Sequence, residues 1–237
     1  MFGKKNKHLD YASGPRDLIV AKEPKSPISE QYRTIRTNIT YAGVDTQIKS
    51  VLFTSATPSA GKSTTAANVA IAYAQAGRKT LLLDADLRRP TTHYTFEVNN
   101  QRGLSTAVVN EMPLENVIRE TEIENLDIVT SGPVPPNPSE LIASNKMEHF
   151  FKTVSMEYDM VIVDSPPILA VTDGQLLSKL VDGTILVTNV EANNRDSLTQ
   201  AKDLLKKADA NLIGTVLNNK KQKESKDSYY YYYGAEK

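Results

Sequence analysis

Apolar residues recur along the chain in two rhythms. Between residues 28 and 42, Ile28, Tyr32, Ile35 and Ile39 return at helical spacing, with Ser29 as the expected N-cap and Gly43 as the stop. Farther along come short runs rich in β-branched residues: Val51–Ser55, Thr80–Asp84, Leu126–Thr130, Met160–Asp164, Thr184–Val190 and Leu212–Leu217. They lack clean alternation, as strands buried on both faces do. Helical segments lie between them at Lys62–Ala76, Ser144–Met156, Asp173–Leu180 and Asp196–Ala208. The last gathers Ala201, Leu204, Leu205 and Ala208 on one face. Strands alternating with helices predict an α/β fold, a mostly parallel sheet with helices on both faces.

The pattern fades at both ends. Residues 1–27 are polar, contain three prolines and hold Lys4, Lys5 and Lys7, which reads as a mobile N-terminal arm. Residues 28–219 form the expected folded domain. Residues 220–237 read as a flexible tail, lysine-rich first and then carrying five consecutive tyrosines, Tyr229, Tyr230, Tyr231, Tyr232 and Tyr233. The proline-rich stretch from Gly132 to Pro138 lies between a strand and a helix and is expected to be a surface loop.

Composition narrows the function classes. The chain of 237 residues has 28 basic and 28 acidic side chains, a formal net charge of zero. That balance disfavours a generally basic nucleic-acid binder, and no direct contact with nucleic acid is expected. The absence of Cys excludes a disulfide framework, Cys-ligated zinc, iron–sulfur clusters and cysteine nucleophiles. No apolar run approaches the ~18 residues of a membrane span, and the basic start has no apolar stretch behind it. A soluble intracellular protein is the expectation. His8, His93 and His149 share no metal-ligand spacing.

The candidate chemistry begins after the first strand. From Ala56 through Thr57, Pro58, Ser59, Ala60 and Gly61 to Lys62, Ser63 and Thr64 the chain reads as a tight loop opening a helix. Such a loop turns successive backbone N–H groups toward a phosphate chain, aided by the positive end of the helix. Lys62 then neutralises β- and γ-phosphates, and the Ser63 hydroxyl ligates Mg²⁺. Ala56 stands where the first Gly of G-x-x-x-x-G-K-[ST] belongs. An ordinary strand-to-helix turn would need Gly61 but has no use for Lys62, Ser63 and Thr64 directly after it.

Two acidic strand ends point to the same place. Asp84 and Asp86 follow one buried strand and Asp164 another. A single Asp after a strand is ordinarily a turn former. Here the strands run into the edge of an open parallel sheet where ligands bind, beside the lysine loop. Magnesium favours hard oxygen ligands and keeps several waters, so these carboxylates suit it directly or through water.

These segments together resemble the bacterial tyrosine kinases, closest to the stand-alone cytoplasmic kinases of Gram-positive bacteria, the CapB, CpsD and PtkA group. The lysine loop looks like their Walker A, Leu81–Pro90 like Walker A′, Val161–Pro167 like Walker B, and the tail like their tyrosine cluster. Glu30, Arg33 and Arg36 match the family's E-x-x-R-x-x-R motif. Read from the residues alone, that helix face is either solvated, with one intrahelical pair worth ~0.3 kcal/mol, or a subunit contact.

The resemblance implies a P-loop NTPase fold and an ATP- and Mg²⁺-dependent protein-tyrosine kinase. Such an enzyme phosphorylates its own C-terminal tyrosines, here Tyr229, Tyr230, Tyr231, Tyr232 and Tyr233, as well as other proteins. It regulates exopolysaccharide or capsule synthesis. The resemblance further implies a homo-oligomeric ring built through Glu30, Arg33 and Arg36. A separate membrane-spanning activator of the polysaccharide co-polymerase type would recruit the cytoplasmic kinase to the inner face of the cell membrane. Carried over position by position, Ser59, Ala60, Gly61, Lys62, Ser63 and Thr64 hold ATP. Ser63, Asp86 and Asp164 support the metal, while Asp84 is the base or orienting group for the tyrosine hydroxyl. Asn218, at the end of the last strand, is a candidate for the adenine. The eleven steps from Asn218 to Tyr229 span at most about 36–40 Å, enough to reach a neighbouring active site or the chain's own.

The competing function is a regulatory ATPase switch like the partition and septum-positioning ATPases. Those carry an extra lysine five positions before the invariant one, where this chain has Thr57, and they lack a terminal tyrosine run. For Arg88, Arg89 and Pro90 the residues leave three roles open: activator binding, ring stabilisation and phosphate contact. There is no H-R-D or D-F-G signature of the eukaryotic-type kinases.

Overall fold

A computed structural model describes residues 16–43, 47–192 and 195–219. Seven strands, β1 (Ser50–Ser55), β2 (Thr80–Asp84), β3 (Ile118–Glu120), β4 (Leu126–Val129), β5 (Met160–Asp164), β6 (Gly183–Asn189) and β7 (Leu212–Asn218), form one sheet. Their spatial order is β3-β4-β2-β5-β1-β6-β7, parallel throughout except for β3. The six expected strands are all present. β3 is the addition, a three-residue antiparallel edge too short to show a period.

Nine α-helices among the described residues cover the sheet: α1 (Ile19–Lys22), α2 (Pro27–Ala42), α3 (Lys62–Ala74), α4 (Thr92–Thr95), α5 (Leu104–Asn110), α6 (Pro138–Ile142), α7 (Asn145–Glu157), α8 (Asp173–Leu177) and α9 (Arg195–Lys207). The first three pack on one face, where Val51, Phe53, Leu82 and Ile162 meet the apolar side of α3. α5 and α7 pack on the other face over Leu52, Leu81, Val161 and Val163, and α9 packs there beside Leu186. Because both faces are covered, β1, β2 and β5 are buried along their whole length. This explains their lack of alternation.

Two expectations are corrected. The N-cap of α2 is Ser26, not Ser29: its side-chain oxygen accepts the Ser29 N–H at 3.2 Å. Pro27 sits at N1, where its missing N–H and fixed φ suit a helix start, so the helix begins before the apolar period does. The Ser29 hydroxyl turns inward and donates to the Glu23 carbonyl at 2.7 Å. The arm expected over residues 1–27 is also too long. Val20 in α1 is fully buried, and its N–H donates to Asn68 Oδ1 on α3 at 3.0 Å. Asn68 Nδ2 in turn donates to the Asp17 carbonyl at 2.8 Å. Residues 17–27 therefore belong to the folded body. The tail expected over residues 220–237, with Tyr229, Tyr230, Tyr231, Tyr232 and Tyr233, lies outside the described residues.

Sheet order fixes where a ligand can sit. β1 leads through α3 to β2, two places to one side, whereas β5 leads through α8 to β6 on the other side of β1. The chain thus changes direction around β1 and β5, and a crevice opens beyond their carboxyl ends.

Candidate active site

Residues 56–61 run from β1 into α3 at this crevice. Ser59 has φ 61° and Gly61 φ 89°, two left-handed residues that bend the loop back over the helix start. Gly61 is required for a second reason. A Cβ there would come within 2.0 Å of Asn218 Nδ2, the amide that donates to the Ala60 carbonyl at 3.1 Å. The end of β7 is thereby fastened to the loop. Among the described residues, the backbone N–H groups of Ser59, Ala60 and Gly61 donate to no acceptor in the chain. The amides of Lys62, Ser63 and Thr64, in the first turn of α3, have no intrahelical acceptor either. The loop therefore presents a set of donors suited to phosphate.

The carboxylates arrive from the neighbouring strands. β2 and β5 pair with Asp84 directly beside Asp164, so two buried acids end adjacent strands. Lys62 reaches into this cluster. Its Nζ lies 3.2 Å from Asp164 Oδ1, 3.4 Å from Asp86 Oδ2 and 3.1 Å from the Ser63 hydroxyl. Burial disfavours the ammonium, but Asp164, Asp86 and Asp84 together outweigh that and raise its pKa. Asp164 is also pushed up, by burial first, with Lys62 and the Ser63 hydroxyl pulling it back.

Asp84 is fully buried and organises its own loop. Its Oδ2 accepts the N–H groups of Thr91 and Thr92 at 3.1 and 3.0 Å, and its Oδ1 that of Asp86 at 3.2 Å. Burial, and then the charge of Asp164, still push its carboxyl up to about 7. Asp86 uses Oδ1 on the Arg88 and Arg89 N–H groups at 3.4 and 3.0 Å, which turns Oδ2 toward Lys62.

The set fits a divalent cation bound with a nucleotide. The Lys62 ammonium already shows that a cation is stabilised between Asp86 and Asp164. Among the described residues no three His, Cys, Asp or Glu side chains form a metal cage of their own. The two carboxylates on Lys62 are as many as Mg²⁺ takes when it completes its shell with phosphate and water.

Comparison with known proteins agrees with this geometry. The family described as an AAA domain matches residues 50–220. The tyrosine-protein kinase YwqD of Bacillus subtilis is 47% identical over 206 residues, 87% of this chain and 87% of that protein. This chain belongs to the bacterial tyrosine-protein kinases. The crystal structure of the chimerical protein CapA2B2 superposes on the kinase with a TM-score of 0.84 and 48% identity, covering 88% of the kinase and 93% of that chain. The septum site-determining protein MinD of Pyrococcus horikoshii, complexed with Mg-ADP, has a TM-score of 0.63 and 26% identity, covering 74% of the kinase and 72% of that chain. The P-loop NTPase fold is common to all three.

The remaining candidates of the kinase divide into two groups. Asn218 joins the phosphate loop, as described. Glu30, Arg33 and Arg36 lie on α2, and both arginines are engaged within the chain. Arg33 pairs with Glu30 and donates to the Pro24 carbonyl at 2.6 Å; Arg36 donates to the Ala72 carbonyl at the end of α3 at 2.9 Å. Arg88, one of the residues with three open roles, is bound to Asp173 of α8. Sequence reasoning missed that pairing, since Asp173 reads only as the start of a helix. A groove of about 710 Å³ beside Phe151, Met156, Leu180 and Asp182 lies at the opposite edge of the sheet, near the start of β1. No helix among the described residues is long and apolar enough to cross a membrane.

Proposed function

We propose that the kinase uses ATP with Mg²⁺ to phosphorylate Tyr229–Tyr233 of its own tail and tyrosines of other proteins, in the control of exopolysaccharide or capsule synthesis. The carrying observation is the Lys62 ammonium held between Asp164 and Asp86 at 3.2 and 3.4 Å, at the mouth of a loop of free amides. Phosphoryl transfer needs chiefly positioning and charge neutralisation. Backbone N–H groups of residues 59–64 and Lys62 take the phosphates, and Asn218, already on the loop, borders the adenine. Ser63, Asp86 and Asp164 hold Mg²⁺, which supplies positive charge against the β- and γ-phosphates.

The tyrosine oxygen attacks the γ-phosphorus in line, the bond to the β-phosphate oxygen breaks, and ADP leaves. A tyrosine of pKa near 10 is only ~0.1% ionised at pH 7, so a proton acceptor helps. Asp84, with its carboxyl at about 7, has a proton affinity matched to that task, as base or as orienting group. The ring contact through Glu30, Arg33 and Arg36 and recruitment to the inner membrane face by a membrane-spanning activator complete the reading. The exposed Glu30 carboxylate supports the first.

Intact mass and a tryptic map after incubation with Mg-ATP test the proposal, for wild type, Lys62→Met and Asp84→Asn, each with and without a cytoplasmic activator peptide. Phosphate on Tyr229–Tyr233 in the wild type alone is the expected result. ATP hydrolysis with no phosphotyrosine in any sample would overturn it in favour of a regulatory ATPase switch.

A further inference from the structure

The loop that carries Asp86 is fastened on its far side by a second charged group. Asp173, in the first turn of α8, is fully buried. Arg88 grips both its oxygens, Nε to Oδ2 at 2.8 Å and Nη2 to Oδ1 at 3.0 Å. The Ser139 hydroxyl, in the first turn of α6, donates to the same Oδ1 at 2.7 Å and accepts from Arg88 Nη2 at 2.8 Å. A planar guanidinium on a carboxylate fixes orientation as well as distance.

Each end of this brace leads to a site carboxylate. The N–H groups of Arg88 and Arg89 donate to Asp86 Oδ1, so the main chain held by the guanidinium is the one that aims Asp86. At the other end, α8 follows the Asp164 turn, which is pinned to β1. The Ser165 hydroxyl donates to the Phe53 carbonyl at 3.0 Å, and the Thr54 hydroxyl donates to the Pro166 carbonyl at 3.0 Å. The Ile168 N–H donates to the Ser55 carbonyl at 2.8 Å. Only the Asp173 side of the pair is buried, the Arg88 side chain being 37% exposed, so the bidentate fork holds a buried carboxylate in one orientation from the surface.

We propose that Arg88, Asp173 and Ser139 are positioning residues, a brace that sets the separation of the Asp86 and Asp164 loops and thereby how tightly the kinase holds its divalent cation with nucleotide. This rests on reading Asp86 and Asp164 as cation-holding residues. This internal role for Arg88 stands beside the three that the sequence left open.

The test is the double variant Arg88→Met/Asp173→Leu, which deletes the brace without leaving a buried charge unpaired. Three quantities are read: the melting temperature, the Mg²⁺ concentration for half-maximal retention of a fluorescent ADP analogue, and kcat against KM for ATP in tail phosphorylation. We expect melting close to wild type, half-saturating Mg²⁺ raised about tenfold and kcat lowered, as for partners that orient metal ligands. Wild-type Mg²⁺ dependence and kcat in a folded double variant would reduce the brace to a structural contact. Should that variant fail to fold, Arg88→Lys decides on the same readouts: it keeps the charge but loses the fork. An Asp86→Asn control separates the two readings. If Asp86→Asn leaves Mg²⁺ dependence unchanged, the cation site itself is misassigned; if it shifts while the brace variants do not, only the brace fails.

Discussion

At the amino-terminal edge of the sheet, Asp182 turns Oδ2 onto the Lys49 and Ser50 N–H groups at 2.8 and 2.9 Å and onto the Ser50 hydroxyl at 2.9 Å. Asp159 likewise accepts the Lys79 N–H at 3.0 Å. These aspartates satisfy backbone donors as strands begin, next to solvent. At the carboxyl-terminal edge, Asp84, Asp86 and Asp164 are buried together around one ammonium, and burial holds Asp84 at about 7. Aspartates accept backbone N–H groups at both edges, Asp84 and Asp86 included, but only at the second are they packed against one another and a cation. The difference lies in neighbours: isolated donors at the first edge, like charges and a single cation at the second.

The largest test of that contrast is Lys62→Met. Removing the cation leaves Asp86 and Asp164 without their partner and takes the positive charge from the phosphates, so phosphotyrosine formation should fall by about a thousandfold or more, read by intact mass. Asp164→Asn should follow with a loss of about a hundredfold, because one buried oxygen pair is kept in shape but not in charge. A rate within a few-fold of wild type would show that Asp164, like Asp159, has only a structural part.

At the other edge the readout changes in kind. Asp182→Ala should cost about 1 to 2 kcal/mol of stability in urea unfolding, since the Lys49 and Ser50 donors lose their shared acceptor. Activity of the folded protein should not change. If activity fell with stability intact, the two edges would not be separable.

A last test is the pH dependence of stability that the buried carboxylates impose. An unfolded Asp titrates near 3.9, whereas Asp84 in the fold titrates at about 7. Between those values the native state keeps a proton that the unfolded chain has lost. Stability of the metal-free protein should therefore fall as pH rises from about 4 to about 7 and then level. Urea unfolding in EDTA between pH 5 and 8 checks this, with Asp84→Asn flattening the slope.

Much of this was legible in the residues. The six long strands, the loop between β1 and α3 and the acidic strand ends all rest on local patterns of four or more residues. What escaped was short or distant. β3 has three residues, and α1 and α4 have four each, less than any period needs. The start of α2 was misplaced because the apolar rhythm begins at Ile28, while Ser26 and Pro27 set the boundary through capping. Asp173 was invisible as a partner because Arg88 lies 85 positions earlier in the chain.

The sequence alone determined the tight loop that opens α3 and the acidic ends of β2 and β5, because these depend on neighbours along the chain. Tertiary structure decided what those residues become. Lys62 meets Asp164 across 102 positions, and Asn218 closes on Ala60 across 158. Such contacts follow from the order β2-β5-β1-β6-β7, which sets Asp84 beside Asp164 in register. A carboxylate's proton affinity is set by the water it loses and the charges it gains, and both are fixed only when the strands pair.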